Sequence, residues 1–334
     1  MNNKLFIGAF ALISLASCNT QKETKILKQS DYPAAPVAEI KPDTFTNFGQ
    51  IRVDNYFWMK DKTNPKVIDY LNAENAYTDS VMASTKDLQK KIYDEIIGRI
   101  KEDDESYPTF SNGYFYYTRT DKGKQYRTYC RKKGSVKAPE EIFFDVNKMA
   151  EKKQAYMFGG YDISPDNKMA AYFFNETGSF ADYMLKIKDL TTGRDINFSV
   201  KGASSFAWAN DNKTIFYGVI DPVTLRAYRI YRQVLGSPAA VLVYEEKDTK
   251  FSTGVSKSKT KDFIFIGSSS STTSEERFVS ADKPDDKFIV FMPRVQDVDY
   301  SVYCHKNNFF VRYKDKQNLN GKIYEVPLKG FEDK

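Results

Sequence analysis

Ser164-Pro165-Asp166-Asn167-Lys168-Met169-Ala170-Ala171-Tyr172-Phe173-Phe174 reads as a tight turn running into an apolar, aromatic strand. Pro165 presets φ for a turn, and Asp166 and Asn167 tolerate the positive φ of a close reversal. The same pattern recurs along the chain. Asn112-Gly113 precedes the run 114–118, and Asn210-Asp211-Asn212 precedes 214–219. Lys261-Asp262 precedes 263–266, and Asn307-Asn308 precedes 309–313. Successive copies lie about 45 to 55 residues apart, room for four short strands and their turns.

That spacing is the period of a four-stranded propeller blade. Later strands recur within the copies: 183–190 runs into Thr191-Thr192-Gly193, and 227–233 into Leu235-Gly236-Ser237. Composition agrees, since 23 Tyr and 25 Phe against 2 Trp favour pleated, half-buried surfaces. The expected fold class is mainly β. It is a β-propeller, with five copies of the repeat before Lys334, preceded by a short α-helical segment.

The helical signal is confined to 64–101. Asn64 suits an N-cap, Pro65 the first turn, and Val67, Ile68 and Leu71 begin an apolar face. A second helix is expected to start near Thr85, with Leu88, Ile92, Ile96 and Ile100 in one stripe. Both faces need a partner surface. The acids Glu102, Asp103, Asp104 and Glu105 after them read as a solvated connection, with a hinge as the sharper alternative.

The net charge of +6 is spread through mixed windows, so no basic element stands ready to track phosphates and no nucleic-acid partner is expected. The single histidine, His305, leaves little for a His-rich metal site or a Ser-His-Asp triad. Gly-x-Ser-x-Gly is absent. The serine-rich run Gly267-Ser268-Ser269-Ser270-Ser271 leaves a strand and reads as a polar hairpin. Cys304 and His305, adjacent in a strand, point to opposite faces and cannot act together. No catalytic, cofactor-binding or metal residue is assigned.

Lys4 and the apolar run 5–15 form a signal peptide too short to span a bilayer. Leu15-Ala16-Ser17-Cys18 matches the bacterial lipobox, so Cys18 is the expected lipidation site and membrane anchor. The expected division is signal peptide 1–17, tether 18–43, helical segment 44–105 and incomplete propeller 106–334. Asn19 after the anchor points to an exported lipoprotein of an outer membrane. Cys130 and Cys304 are expected as two isolated buried thiols.

Asp54-Asn55-Tyr56-Phe57-Trp58-Met59-Lys60-Asp61 resembles an N-terminal motif of the prolyl oligopeptidase family, with Asn55 where proline is usual. Tyr70-Leu71-Asn72-Ala73-Glu74-Asn75-Ala76-Tyr77 and Gly98-Arg99-Ile100-Lys101-Glu102-Asp103-Asp104 continue the likeness, nearest to oligopeptidase B. Tyr116-Tyr117-Thr118-Arg119, Val243-Tyr244-Glu245-Glu246 and Ser271-Thr272-Thr273-Ser274-Glu275 keep the family order. The resemblance implies a seven-bladed propeller capping an α/β-hydrolase domain, with about five blades in this chain. It implies a serine-type endopeptidase that cuts short peptides after basic residues, its propeller excluding folded proteins. By that plan the catalytic domain lies outside this chain, in cis or in trans, and the chain alone is inactive. The alternative is a free-standing, lipid-anchored binding module.

Overall fold

A computed structural model of the chain describes residues 32–329. Two compact units meet in sequence at Lys101 and Glu102.

The first unit opens with an antiparallel hairpin of β1 (Asp43–Asn47) and β2 (Gln50–Asp54). Phe48 and Gly49 reverse the chain with φ of 52° and 77°, the two positive values that a close hairpin turn requires. The hairpin lies almost wholly within the stretch 44–105, where helices over 64–101 and no strands are expected from the sequence. The Asn-Phe-Gly reversal and the alternation through Ile51 and Val53 are the signals that expectation passed over. Helix α1 (Pro65–Met82) starts as expected: the Asn64 side chain accepts from the Lys66 amide at 3.0 Å, and Pro65 occupies the first turn. A 3-10 turn over Ala83–Thr85 separates it from α2 (Lys86–Gly98), which Thr85 precedes. Leu88, Ile92 and Ile96 share one side of α2 and stay about half exposed, whereas Ile100, expected on the same stripe, falls beyond the helix end at Gly98.

The second unit is a run of five antiparallel sheets, four of them meanders in chain order and the first with two short strands on one edge. In the first blade, Asp104–Glu105 and Thr109–Ser111 share one edge of Tyr114–Thr120, followed by Thr128–Lys133 and Glu140–Asp145. Pro108 interrupts that shared edge because it has no amide to donate. The acidic stretch is therefore partly structural: Asp104 and Glu105 pair with Thr120 and Arg119, and Glu102 Oε2 accepts from the Gly123 amide at 3.1 Å.

The second blade is Met157–Ile163, Met169–Asn175, Met184–Asp189 and Asp195–Lys201. The third is Ala203–Trp208, Thr214–Ile220, Ala227–Val234 and Val241–Glu245. The fourth is Ser252–Lys257, Phe263–Ser269, Ser274–Ser280 and Ile289–Val290. Among the described residues the fifth has three strands, Asp299–His305, Asn308–Lys314 and Lys322–Pro327.

The turn between the first two strands of every blade places a non-glycine residue in the left-handed region, joined in the first blade by Gly113. The non-glycine residues are Asn112, Asn167, Asn212, Lys261 and Lys306, with φ between 48° and 69°. In the fifth blade the reversal thus falls on Lys306, one residue before the expected Asn307-Asn308. The turns also bond to one another. Asn112 Nδ2 donates to the Pro165 carbonyl at 2.5 Å, and Asn167 Nδ2 to the Asn112 carbonyl at 3.0 Å. The Asp166 amide donates to Asn212 Oδ1 at 2.7 Å, and Asn210 Nδ2 to the Lys261 carbonyl at 3.0 Å. Thr260 Oγ1 and Cys304 Sγ, 2.8 Å apart, join the fourth blade to the fifth.

Aromatic side chains fill the seams between blades. Phe144 meets Tyr172 at 4.9 Å between ring centres, Phe173 meets Phe206 at 4.6 Å, and Phe263 meets Phe309 at 5.4 Å. Each such pair contributes about 0.5–1.5 kcal/mol beyond area burial. Trp208 is fully buried in the second seam, where its indole N–H donates to the Asp162 carbonyl at 3.2 Å. Cys130 and Cys304 are both free and buried, in the first and fifth blades, and burial pushes the Cys130 thiol up to about 12.

Asn212 serves both its own turn and the neighbouring blade. Asn212→Ala is expected to cost about 2 kcal/mol, the left-handed penalty plus the lost bond to Asp166. Asn212→Gly keeps the backbone freedom and is expected to cost about half as much. Denaturant unfolding of the two variants checks the order.

Candidate functional site

The turns that link the blades also surround the candidate site. A cavity of 310 Å³ lies among the first, second and fourth blades. Asn112 and Tyr116 line it from the first blade, Asp162 and Ser164 from the second, and Lys257 and Lys261 from the fourth. The first strand of the third blade touches those of the second and the fourth, so the first strands run side by side next to the cavity. Between the third and fourth, the Val255 amide donates to Ser205 Oγ at 3.0 Å.

Its electrostatics are mixed. Burial raises the Asp162 carboxyl, with Lys257 and Lys261 opposing that rise. Burial likewise lowers the Lys257 ammonium against the pull of Asp162, and Lys257 Nζ lies 2.5 Å from Asn210 Oδ1. Such a lining can hold a polar, charged or peptide-like group. No histidine lines it among the described residues.

The residues weighed in the sequence take structural places. Ser268 is buried, with its hydroxyl 3.1 Å from Tyr244 Oη and 3.2 Å from Thr253 Oγ1. Ser270 closes a turn by accepting from the Thr273 amide at 3.2 Å. His305 ends its strand exposed while Cys304 faces the buried side, as the alternation of a strand requires. Among the described residues no group of three or more His, Cys, Asp or Glu stands close enough to hold a metal. Cys18, the expected lipidation site, lies outside the described residues.

Residues 36–334 match the family described as prolyl oligopeptidase, N-terminal beta-propeller domain. The chain belongs to the prolyl oligopeptidase family. Dipeptidyl aminopeptidase BI of Pseudoxanthomonas mexicana is 37% identical over 299 residues, 84% of this chain and 41% of that protein. Protease 2 of Moraxella lacunata is 31% identical over 309 residues, 90% of this chain and 44% of that protein. Oligopeptidase B from Leishmania major superposes with a TM-score of 0.83 at 29% identity, covering 90% of this chain and 45% of that one. The chain therefore spans less than half the length of these relatives. It corresponds to the N-terminal propeller portion of an oligopeptidase B-like peptidase.

This prolyl oligopeptidase propeller also holds a buried ion network that the sequence reading missed. Arg294 Nη2 lies 2.5 Å from Glu246 Oε2 and 3.6 Å from Glu275 Oε1, and its guanidinium stacks 3.7 Å over Phe251. Arg277 Nη1 sits 2.5 Å from Glu275 Oε1, an ion-pair contact rather than an aligned hydrogen bond, while its guanidinium covers Tyr244. Tyr244 Oη donates to Glu246 Oε2 at 2.7 Å. The two acids come from Val243-Tyr244-Glu245-Glu246 and Ser271-Thr272-Thr273-Ser274-Glu275, whose order had signalled the family. The network ties the segment after the fourth blade back to the end of the third.

Burial would raise Glu246, but hydrogen bonds from Arg294, Tyr244 and the Asp248 amide outweigh it and hold the carboxyl below its ordinary range. A lowered carboxyl stabilises the fold fully above its unfolded value, and that contribution disappears as pH falls through the folded value. Arg294→Ala leaves two buried carboxylates short of a cation and is expected to cost about 3 kcal/mol at pH 7. Urea unfolding at pH 7 and pH 3.5 tests both points: the gap between wild type and variant narrows at the lower pH.

Proposed function

We propose that this propeller is the substrate-filtering part of an exported, lipid-anchored serine peptidase of the oligopeptidase B type, which cleaves short peptides on the carboxyl side of basic residues. The observation that carries the reading is the match along 36–334 to the family's propeller, joined to the likeness to oligopeptidase B. Acyl transfer needs a nucleophile, an imidazole base and an oxyanion site, and an α/β-hydrolase domain, in cis or in trans, supplies them. The propeller contributes exclusion. Its blades are locked seam by seam, so only chains narrow enough to thread the space between them reach the nucleophile. Cys18 carries the lipid that holds the enzyme at the outer membrane.

A second specificity has one observation in its favour: the relative at 37% identity is named a dipeptidyl aminopeptidase. On that reading the enzyme removes dipeptides from free amino termini.

Fluorogenic peptides separate these readings. The purified chain alone is expected to release no fluorophore from an amino-blocked arginyl substrate. A chimera carrying this propeller on the hydrolase portion of the Moraxella relative is expected to cleave that substrate, with loss of activity on treatment with a serine-directed reagent. Cleavage only of dipeptides with a free amino terminus favours the second specificity, and turnover by the chain alone contradicts both. For the anchor, metabolic labelling with palmitate is expected to mark the wild-type chain and not Cys18→Ala; equal labelling contradicts the assignment.

A further inference from the structure

The fourth and fifth blades flank a second cavity, of 460 Å³, which shares Lys257 with the first and otherwise has its own lining. Its distinctive group is Glu276. In the fourth blade Gly254 pairs with Gly267, and Gly267 pairs with Glu276, so one row across three strands carries a single side chain. A Cβ at Gly267 would stand 3.3 Å from each Glu276 carboxylate oxygen. The carboxylate therefore lies back over the bare glycine, in space that any other residue would fill.

The backbone of Glu276 is fixed on both sides. Its amide donates to Tyr300 Oη at 2.9 Å, and its carbonyl accepts from the Phe291 amide at 2.8 Å. Its carboxylate, in contrast, makes no ion pair and no side-chain hydrogen bond among the described residues. Burial pushes that carboxyl up to about 7, and the Asp299 carboxylate pushes it the same way. Asp299 already has its cation, Arg312 Nη2 at 2.8 Å. Of the other ionisable groups around the cavity, Lys257 is held by Asn210, Cys304 by Thr260, and Lys259 lies at the turn. Phe265 and the half-exposed Tyr303 provide aromatic surface, and Ser256 and Ser301 add hydroxyls.

We propose that this cavity binds an organic cation, a guanidinium or primary ammonium group on an aliphatic stem, with Glu276 as its counter-ion. A carboxylate left in a recess without a partner is costly, and a cation seated on it removes that cost. Aromatic rings beside the acid pack the stem and attract the charge. A metal ion is the poorer fit, because no set of three or more acidic, His or Cys ligands gathers among the described residues. The site goes beyond the peptidase reading and needs no hydrolysis. Basic side chains of peptides are one source of such a group, and free guanidines are another.

Calorimetric titration of the purified chain with acetyl-arginine amide and with agmatine tests this. One saturable site is expected at pH 8. Affinity is expected to fall at least tenfold at pH 5.5, where Glu276 takes up its proton, and at least tenfold at pH 8 in Glu276→Gln. Acetyl-norleucine amide, equally long but uncharged, is expected not to bind. Gly267→Ala, which crowds the carboxylate without removing it, gives a second variant and is expected to weaken binding too. Binding of agmatine alone supports the cation site and assigns it to free guanidines. Equal affinity in wild type and both variants, or no binding at pH 8, overturns the proposal. Activity of the peptidase chimera is a separate readout, so failure here leaves the hydrolytic reading to its own test.

Discussion

The structure of the second unit depends on one constraint, repeated blade after blade. The turn between the first two strands must place a residue in the left-handed region and must also bond to the turn of the next blade. Asparagine meets both demands, since it tolerates positive φ and carries a donor and an acceptor on a short stem. Asn112, Asn167 and Asn212 do this in the first three blades, each with φ between 48° and 63° and each bonded across a seam. The fourth and fifth blades use Lys261 and Lys306 at the same place, and their joint is made instead by Thr260 and Cys304. A four-stranded meander has no intrinsic reason to sit at a given angle to its neighbour. The linked turns fix that relation at one end of each seam, and the aromatic pairs hold it along the rest.

The same arrangement bears on the filtering role proposed above. Meanders that bond only within themselves could slide apart and open a seam to larger chains. Here Trp208, the Phe263–Phe309 contact and the network around Arg294 each bind one blade to another. Aromatic pairs thus run along the seams, while polar groups gather around the first cavity. Asp162, Lys257 and Lys261 give that cavity charge of both signs. Nothing there needs to react, because the family places its chemistry in another domain.

Much of this was legible in the sequence because it is local. Turn chemistry and strand aromatics lie within ten residues of each other, so their repetition reveals the blades directly. The N-cap at Asn64 and the helix break near Thr85 were equally local. What escaped the sequence was either faint or distant. The hairpin at 43–54 is short, and the helical pattern after it dominated the reading. The contacts of Glu246 with Arg294 and of Arg294 with Glu275 join residues brought together only by folding. The family-like order of the two acidic motifs hinted at a role without naming the partner. Glu276 was still less visible: its recess exists because two glycines on neighbouring strands fall into register with it, and register is a property of the folded sheet.

Hydrogen–deuterium exchange at the amides that donate between blades tests the account most directly. Those amides are Asp166, Asn210 and Val255, which bond to Asn212, Ala281 and Ser205. If the turns and first strands lock the blades into one body, these loop and edge amides exchange as slowly as the interiors of the strands they join. Exchange at the rate of open loops, with the strand interiors still protected, would mean that the sheets fold singly and that the interlocked propeller does not form.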